Sequence, residues 1–84
     1  MNGVKIFLEL VNGKSYELDF SKKYNIKIIE TGEDYRTEKY YINVVIESVD
    51  KYFIRLGRLN YNSKQDPYPK LAILQIVEVN EVEE

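Results

Sequence analysis

Hydrophobic and polar positions alternate along most of this chain. Val4, Ile6, Leu8 and Leu10 fall on one face, with Lys5, Phe7 and Glu9 on the other. Tyr16, Leu18 and Phe20 repeat the pattern over residues 14–20. A period of two predicts half-buried strands. Between them lies Asn12-Gly13, a hairpin signal. A two-residue turn would set the two apolar faces on opposite sides of the sheet. A three-residue loop Val11-Asn12-Gly13 instead pairs Leu10 with Lys14, Leu8 with Tyr16, Ile6 with Leu18 and Val4 with Phe20. Register follows the buried face, so the bulged loop is expected, with Gly13 in the left-handed region.

Further strands follow. Tyr24–Ile29 aligns Tyr24, Ile26 and Ile28, and ends at the breaker-rich Glu30-Thr31-Gly32-Glu33-Asp34. Tyr40, Ile42, Val44 and Ile46 alternate strictly, which predicts a strand over Glu38–Ser48. Tyr35, Ile42, Val45 and Val49 also fit a helical stripe with Asp34 as N-cap, so a short helical turn near residues 34–39 is the alternative there. After Asp50-Lys51, Tyr52, Ile54 and Leu56 line one face of a fifth strand, with Phe53 and Arg55 on the other. Asn60–Pro69 reads as a long loop. Leu71–Val79 is the last strand, apolar on both faces: Leu71, Ile73, Val77 and Val79 against Ala72, Leu74 and Ile76. Such a strand is expected at the centre of a sheet, flanked by the first and fifth strands, or covered by a second copy. That pattern, in a chain with so little core, predicts self-association by packing of sheet faces.

About six strands with short links predict a mostly β fold, a small antiparallel barrel or a two-layer sheet, SH3-like, Sm-like or OB-like. A meander is the simplest path. With 84 residues the chain is one domain over 1–84, with residues 80–84 as an acidic tail.

Two stretches are similar to Sm-like small barrels. Leu8-Glu9-Leu10-Val11-Asn12-Gly13-Lys14-Ser15-Tyr16 resembles the first hairpin of that family, and Asn43-Val44-Val45-Ile46-Glu47-Ser48-Val49 resembles its following strand. The family's later Arg-Gly pair has only a loose counterpart in Arg55-Leu56-Gly57-Arg58, so no RNA-binding residue is carried over. The resemblance implies a fold class alone.

Composition narrows the chemistry. There is no cysteine and no histidine, which excludes disulfides, Cys/His zinc sites and His- or Cys-based catalysis. No Gly-rich phosphate loop and no nucleophile-elbow motif is present. Glu30 and Glu33 could hold a divalent cation, but acids in such a turn are ordinarily just solvated. The expectation is a protein that is not an enzyme and has neither cofactor nor metal. The start of the chain lacks a signal-peptide pattern, and no stretch has the length of a membrane span, which points to the cytoplasm.

The net charge of −2 is unevenly laid out. Residues 1–34 hold five Lys against six Asp/Glu, residues 35–70 seven Lys/Arg against four Asp/Glu, and residues 71–84 four Glu with no base. Most of the eight tyrosines fall in the net-positive middle, beside Arg36, Lys39, Arg55, Arg58, Lys64 and Lys70. Tyr and Arg together are typical of protein interfaces. The candidate contact residues are Tyr41, Arg55, Arg58, Tyr61, Lys64 and Tyr68. The same residues would serve base stacking beside a basic groove, and tyrosine also simply suits a pleated, half-buried surface.

These features predict a non-catalytic binding module, a small accessory or inhibitor protein that occupies a partner protein's surface. The abundance of residues with AT-rich codons suits a gene of a phage or other mobile element. The alternatives are a small barrel that binds single-stranded nucleic acid, and a protein that sequesters a small ligand such as a nucleotide.

Overall fold

The computed structural model describes residues 5–57 and 69–83. Its first two strands, β1 (Lys5–Glu9) and β2 (Ser15–Asp19), form the expected hairpin. Ile6 pairs with Leu18 and Leu8 with Tyr16, as the buried face demands. Gly13 has φ 89°, and its N–H donates to the Leu10 carbonyl at 3.0 Å. A two-residue turn would have buried Glu17 with Leu8, so burial decided the loop length. Val4, which was expected to extend this ladder, lies outside the described residues.

Five more strands make the second sheet: β3 (Lys23–Thr31), β4 (Arg36–Val49), β5 (Phe53–Leu56), β6 (Lys70–Ala72) and β7 (Ile76–Glu81). All pairings are antiparallel, in the order β6-β5-β4-β3-β7. The chain meanders from β3 to β6. A three-residue 3-10 turn, Ile73–Gln75, then carries it to the opposite edge. Five flat strands would hold their edges roughly 19 Å apart, whereas three 3-10 residues span only about 6 Å. The sheet must therefore curl.

Bulges supply the curl. On β4 one extra residue enters between the Ile26–Tyr41 and Tyr24–Val44 pairs, and another between Ile46–Leu56 and Ser48–Arg55. On β7 the extra residue lies between Glu78 and Ile76. Each bulge bends its strand and increases the local twist. The concave side collects the core: Tyr24, Ile26, Ile28, Val44, Ile46, Ile54, Leu56, Leu71, Ile76 and Val79, covered by Leu8, Leu10 and Leu18 of the hairpin. No polar side chain is buried among the described residues. Asn12 ties the two sheets together. Its side-chain amide donates to the Val77 carbonyl at the β7 bulge (3.2 Å), while its Oδ1 accepts the Lys14 N–H.

The mostly β architecture expected from the sequence is thus what folds, with seven strands in two antiparallel sheets among the described residues. Three local expectations are corrected. Residues 34–39 contain no helical turn: β4 is extended from Arg36, because cross-strand pairing with β3 satisfies its backbone. The last strand, expected to be unbroken over Leu71–Val79, is two strands separated by the 3-10 turn. The turn resets the side-chain phase, burying Leu71, Ile76 and Val79 and leaving Leu74 75% exposed. The two-faced apolar strand that motivated face-to-face self-association therefore does not exist. Its halves lie beside β5 and β3 at the two sheet edges, not between the first and fifth strands. Tyr52 leaves the face of Ile54 and Leu56, because Asp50 Oδ1 accepts the N–H groups of Tyr52 and Phe53 at 2.8 Å each and holds Tyr52 in a turn. The two stretches that resemble Sm-like barrels fall in different sheets, residues 8–16 in the hairpin and 43–49 in the curled sheet.

Candidate interaction surface

The strongest surface feature arises from one asparagine. Asn43 has φ 59°, the left-handed region that asparagine tolerates better than most non-glycine residues. It occupies the first β4 bulge, and its N–H donates to Asn25 Oδ1 at 2.8 Å. The inserted residue reverses the side-chain phase of β4. After it, Val44 and Ile46 point into the core. Before it, the even-numbered residues point out. Tyr40 is 60% exposed, Ile42 68% and, just past the bulge, Val45 38%. Strict alternation in the sequence puts Tyr40 and Ile42 on one face with Val44 and Ile46. The bulge overturns that reading.

Tyr40, Ile42 and Val45 thus form an apolar row on the outer face of the sheet's middle strand. β3 supplies one rim. Lys27 faces Tyr40 across the strands, with its ammonium 5.7 Å from the ring centroid and 3.5 Å from Glu38. Desolvation alone would lower the pKa of Lys27, but Glu38 and the Tyr40 hydroxyl outweigh it and hold the group above the ordinary lysine value. Lys23 faces Val45. Because β7 pairs with β3 only as far as Ile28, the ladder from Ile29 to Glu38 stands as a two-stranded arm among the described residues. Tyr35 at its tip lies across Gly32, whose N–H bonds the Tyr35 carbonyl. Lys39 is bound to Glu30 at 2.9 Å, and this hydrogen bond raises its pKa. The Glu30 carboxylate, a candidate cation ligand by sequence, is therefore engaged with an ammonium group.

The candidates named from sequence are scattered. Tyr41 is half-buried and packs on the core, facing away from Tyr40. Arg55 is exposed on the outer face of β5, opposite Ser48 and Lys70. Positions 41 and 48 of β4 are roughly 20 Å apart along an extended chain, so Tyr41 and Arg55 are not brought together. Arg58, Tyr61, Lys64 and Tyr68 lie outside the described residues. Beside Arg55, the Lys70 ammonium sits 4.3 Å from the Phe53 ring centroid. Tyr40, Ile42 and Val45 were missed as surface residues. The signal that could have found them is Asn43 itself, a poor strand former prone to positive φ in the middle of an apolar run.

An open groove of about 510 Å³ is lined by Ser21, Lys22, Lys23, Glu81, Val82 and Glu83. The Lys22–Glu81 ion pair crosses it at 3.0 Å. Its walls are mostly polar, unlike the apolar enclosure typical of small-molecule sites. No group of three acidic residues that could hold a metal occurs among the described residues, and none of their helices is long and apolar enough to cross a membrane. No protein-family model, no curated protein and no solved structure matches this chain.

Proposed function

We propose that this protein is a non-catalytic binding module that covers a partner protein's surface with the outer face of β4, acting as an accessory or inhibitor by occlusion. The observation that carries the reading is the outward placement of Ile42. A left-handed backbone is one that asparagine adopts more readily than other residues bearing a Cβ, and here it turns a large apolar side chain into solvent beside Tyr40 and Val45. An aromatic and two aliphatic side chains on a rigid strand, rimmed by Lys23, Lys27 and Glu38, have the apolar-core, charged-rim composition of a protein interface.

A second reading, single-stranded nucleic acid, is favoured by Arg55 and Lys70 facing each other across β5 and β6 beside Phe53. The two readings separate in one experiment. Immobilised protein is exposed to nuclease-treated lysate beside a variant carrying Tyr40→Ala, Ile42→Ala and Val45→Ala. A captured protein that the variant loses supports the β4 face. Capture that disappears with nuclease, together with salt-sensitive binding of oligonucleotides, supports the second reading and overturns the first.

A further inference from the structure

Asn2 and Asn12 each precede a glycine. Glycine has no Cβ to restrict its backbone or crowd its own nitrogen. In an Asn-Gly pair that nitrogen can therefore swing onto the side-chain amide carbon of the asparagine. Asn2 lies outside the described residues. Asn12 and Gly13 are both exposed in the loop of the first hairpin. Three hydrogen bonds hold the pair. The Gly13 N–H donates to the Leu10 carbonyl at 3.0 Å, which engages the nitrogen that would attack. Asn12 Oδ1 accepts the Lys14 N–H at 3.0 Å, and Nδ2 donates to the Val77 carbonyl at 3.2 Å, which fixes the amide that would be attacked. The last of these bonds joins the hairpin to the curled sheet at the β7 bulge.

We propose that Asn12 is a site of covalent self-modification, where loss of the side-chain amide unties the hairpin from the curled sheet. Gly13 N gives its proton to hydroxide and bonds to Asn12 Cγ. The Cγ–Nδ2 bond breaks, and ammonia leaves with a proton taken from water. The resulting five-membered succinimide then adds water. Breaking its Cγ–N bond restores the main chain and leaves aspartate at position 12. Breaking the bond to the main-chain carbonyl carbon leaves isoaspartate, with the chain routed through Cβ and Cγ and one atom longer. No oxidant, metal or second substrate takes part. In the aspartate product the side chain is a carboxylate, which has no N–H to donate to the Val77 carbonyl. In isoaspartate the amide nitrogen is likewise gone, and the loop whose length sets the Ile6–Leu18 and Leu8–Tyr16 register is lengthened as well. The hairpin lays Leu8, Leu10 and Leu18 over the core, so the tie that is lost belongs to the cover of that core. The same three hydrogen bonds slow the reaction, because the loop must open locally before Gly13 N can reach Cγ. Breaking them together corresponds to a rate roughly 10-fold or more below that of the unfolded chain.

The test ages the wild type at mildly alkaline pH, in native buffer and in urea. Peptide mapping by mass spectrometry follows the conversion of amide to acid at positions 2 and 12 separately. Conversion at Asn12 is expected in both conditions, roughly 10-fold or more slower in native buffer, and faster as pH rises. The native pool is then separated by charge, and the fraction modified at position 12 alone is melted beside unaged protein. Its melting temperature should fall by roughly 2–12 °C, the loss of one hydrogen bond in a domain of this size, with isoaspartate at the larger end. Asn12→Asp supplies the aspartate product without ageing and should show the smaller fall. Asn12→Gln would have to close a less favourable six-membered ring and should stay unconverted at position 12 over the same period. An Asn12 that remains intact in native buffer overturns the proposal, as does conversion of Asn12→Gln at the wild-type rate. Equal rates in native buffer and urea would show that the three bonds do not hold the pair. A modified fraction or an Asn12→Asp variant that melts with the wild type would show that the amide ties nothing, and overturns the proposal equally.

Discussion

Replacing Asn43 by valine probes the backbone that organises the candidate surface. Asn43 holds φ 59° and is solvent-exposed, so the substitution removes no buried contact. Its hydrogen bond to Asn25 Oδ1 is donated by the backbone N–H and survives in any residue but proline. What changes is conformational strain. A left-handed residue with a Cβ costs roughly 1–2 kcal/mol; asparagine tolerates that region comparatively well, and a β-branched side chain sits there as an outlier. Asn43→Val is therefore expected to destabilise by about 1–2 kcal/mol. In a domain of this size that lowers the melting temperature by roughly 4–16 °C. Asn43→Gly, which has no Cβ to strain, should melt at or slightly above the wild-type temperature. Thermal unfolding followed by circular dichroism reads both. If the valine variant melts within about 2 °C of wild type, a measurable fraction of the expected shift, position 43 is not a left-handed bulge and the outward turn of Ile42 loses its cause.

Three other outcomes follow from the fold. Gly13→Ala should cost about 1 kcal/mol through backbone strain alone, since an added Cβ meets nothing within 4 Å at φ +89°; urea midpoints measure it. Ile54→Ala should cost roughly 2–5 kcal/mol, because Ile54 is fully buried between β4 and β6, and a small shift in the same titration would place it outside the core. Hydrogen bonds from the Tyr52 and Phe53 N–H groups hold the Asp50 carboxyl below its ordinary value of 3.8. A depressed folded pKa gives stability that is complete above the unfolded value and fades as pH falls through the folded one. Unfolding free energy should therefore drop on acidification below about pH 4, and Asp50→Ala should make that drop shallower.

What the sequence revealed depended on whether local pattern or distant pairing decided the structure. The first hairpin was legible from Ile6 to Leu18, because a one-position slip would have buried Glu17 and the three-residue loop repairs it. Tyr24–Ile29 was legible for the same reason, with Tyr24, Ile26 and Ile28 all buried, although pairing with β4 carries the strand on through Glu30 and Thr31, which read as a turn. The Ile73–Gln75 turn was not. It contains no glycine or proline, and it exists because the chain must pass from one edge of a curled sheet to the other. The helical stripe through Tyr35 and Ile42 lost to pairing with β3, a long-range contact that no local period contains. At the candidate surface, the outward direction of Arg55 could be read from its alternation with Ile54 and Leu56. Tyr41 could not, because one inserted residue downstream reverses every side chain before it.

The central claim is that β4 turns Ile42 outward to meet a partner protein, not to complete a core. The most direct measurement compares wild type and Ile42→Lys in two readouts on the same preparations, the melting temperature and the amount of partner retained from nuclease-treated lysate. A surface residue changes stability by only about 0.5 kcal/mol, so the account predicts melting temperatures within a few degrees of each other and loss of the retained protein. A large fall in melting temperature would place Ile42 in the core. Unchanged retention at unchanged stability would remove the outer face of β4 as the binding surface.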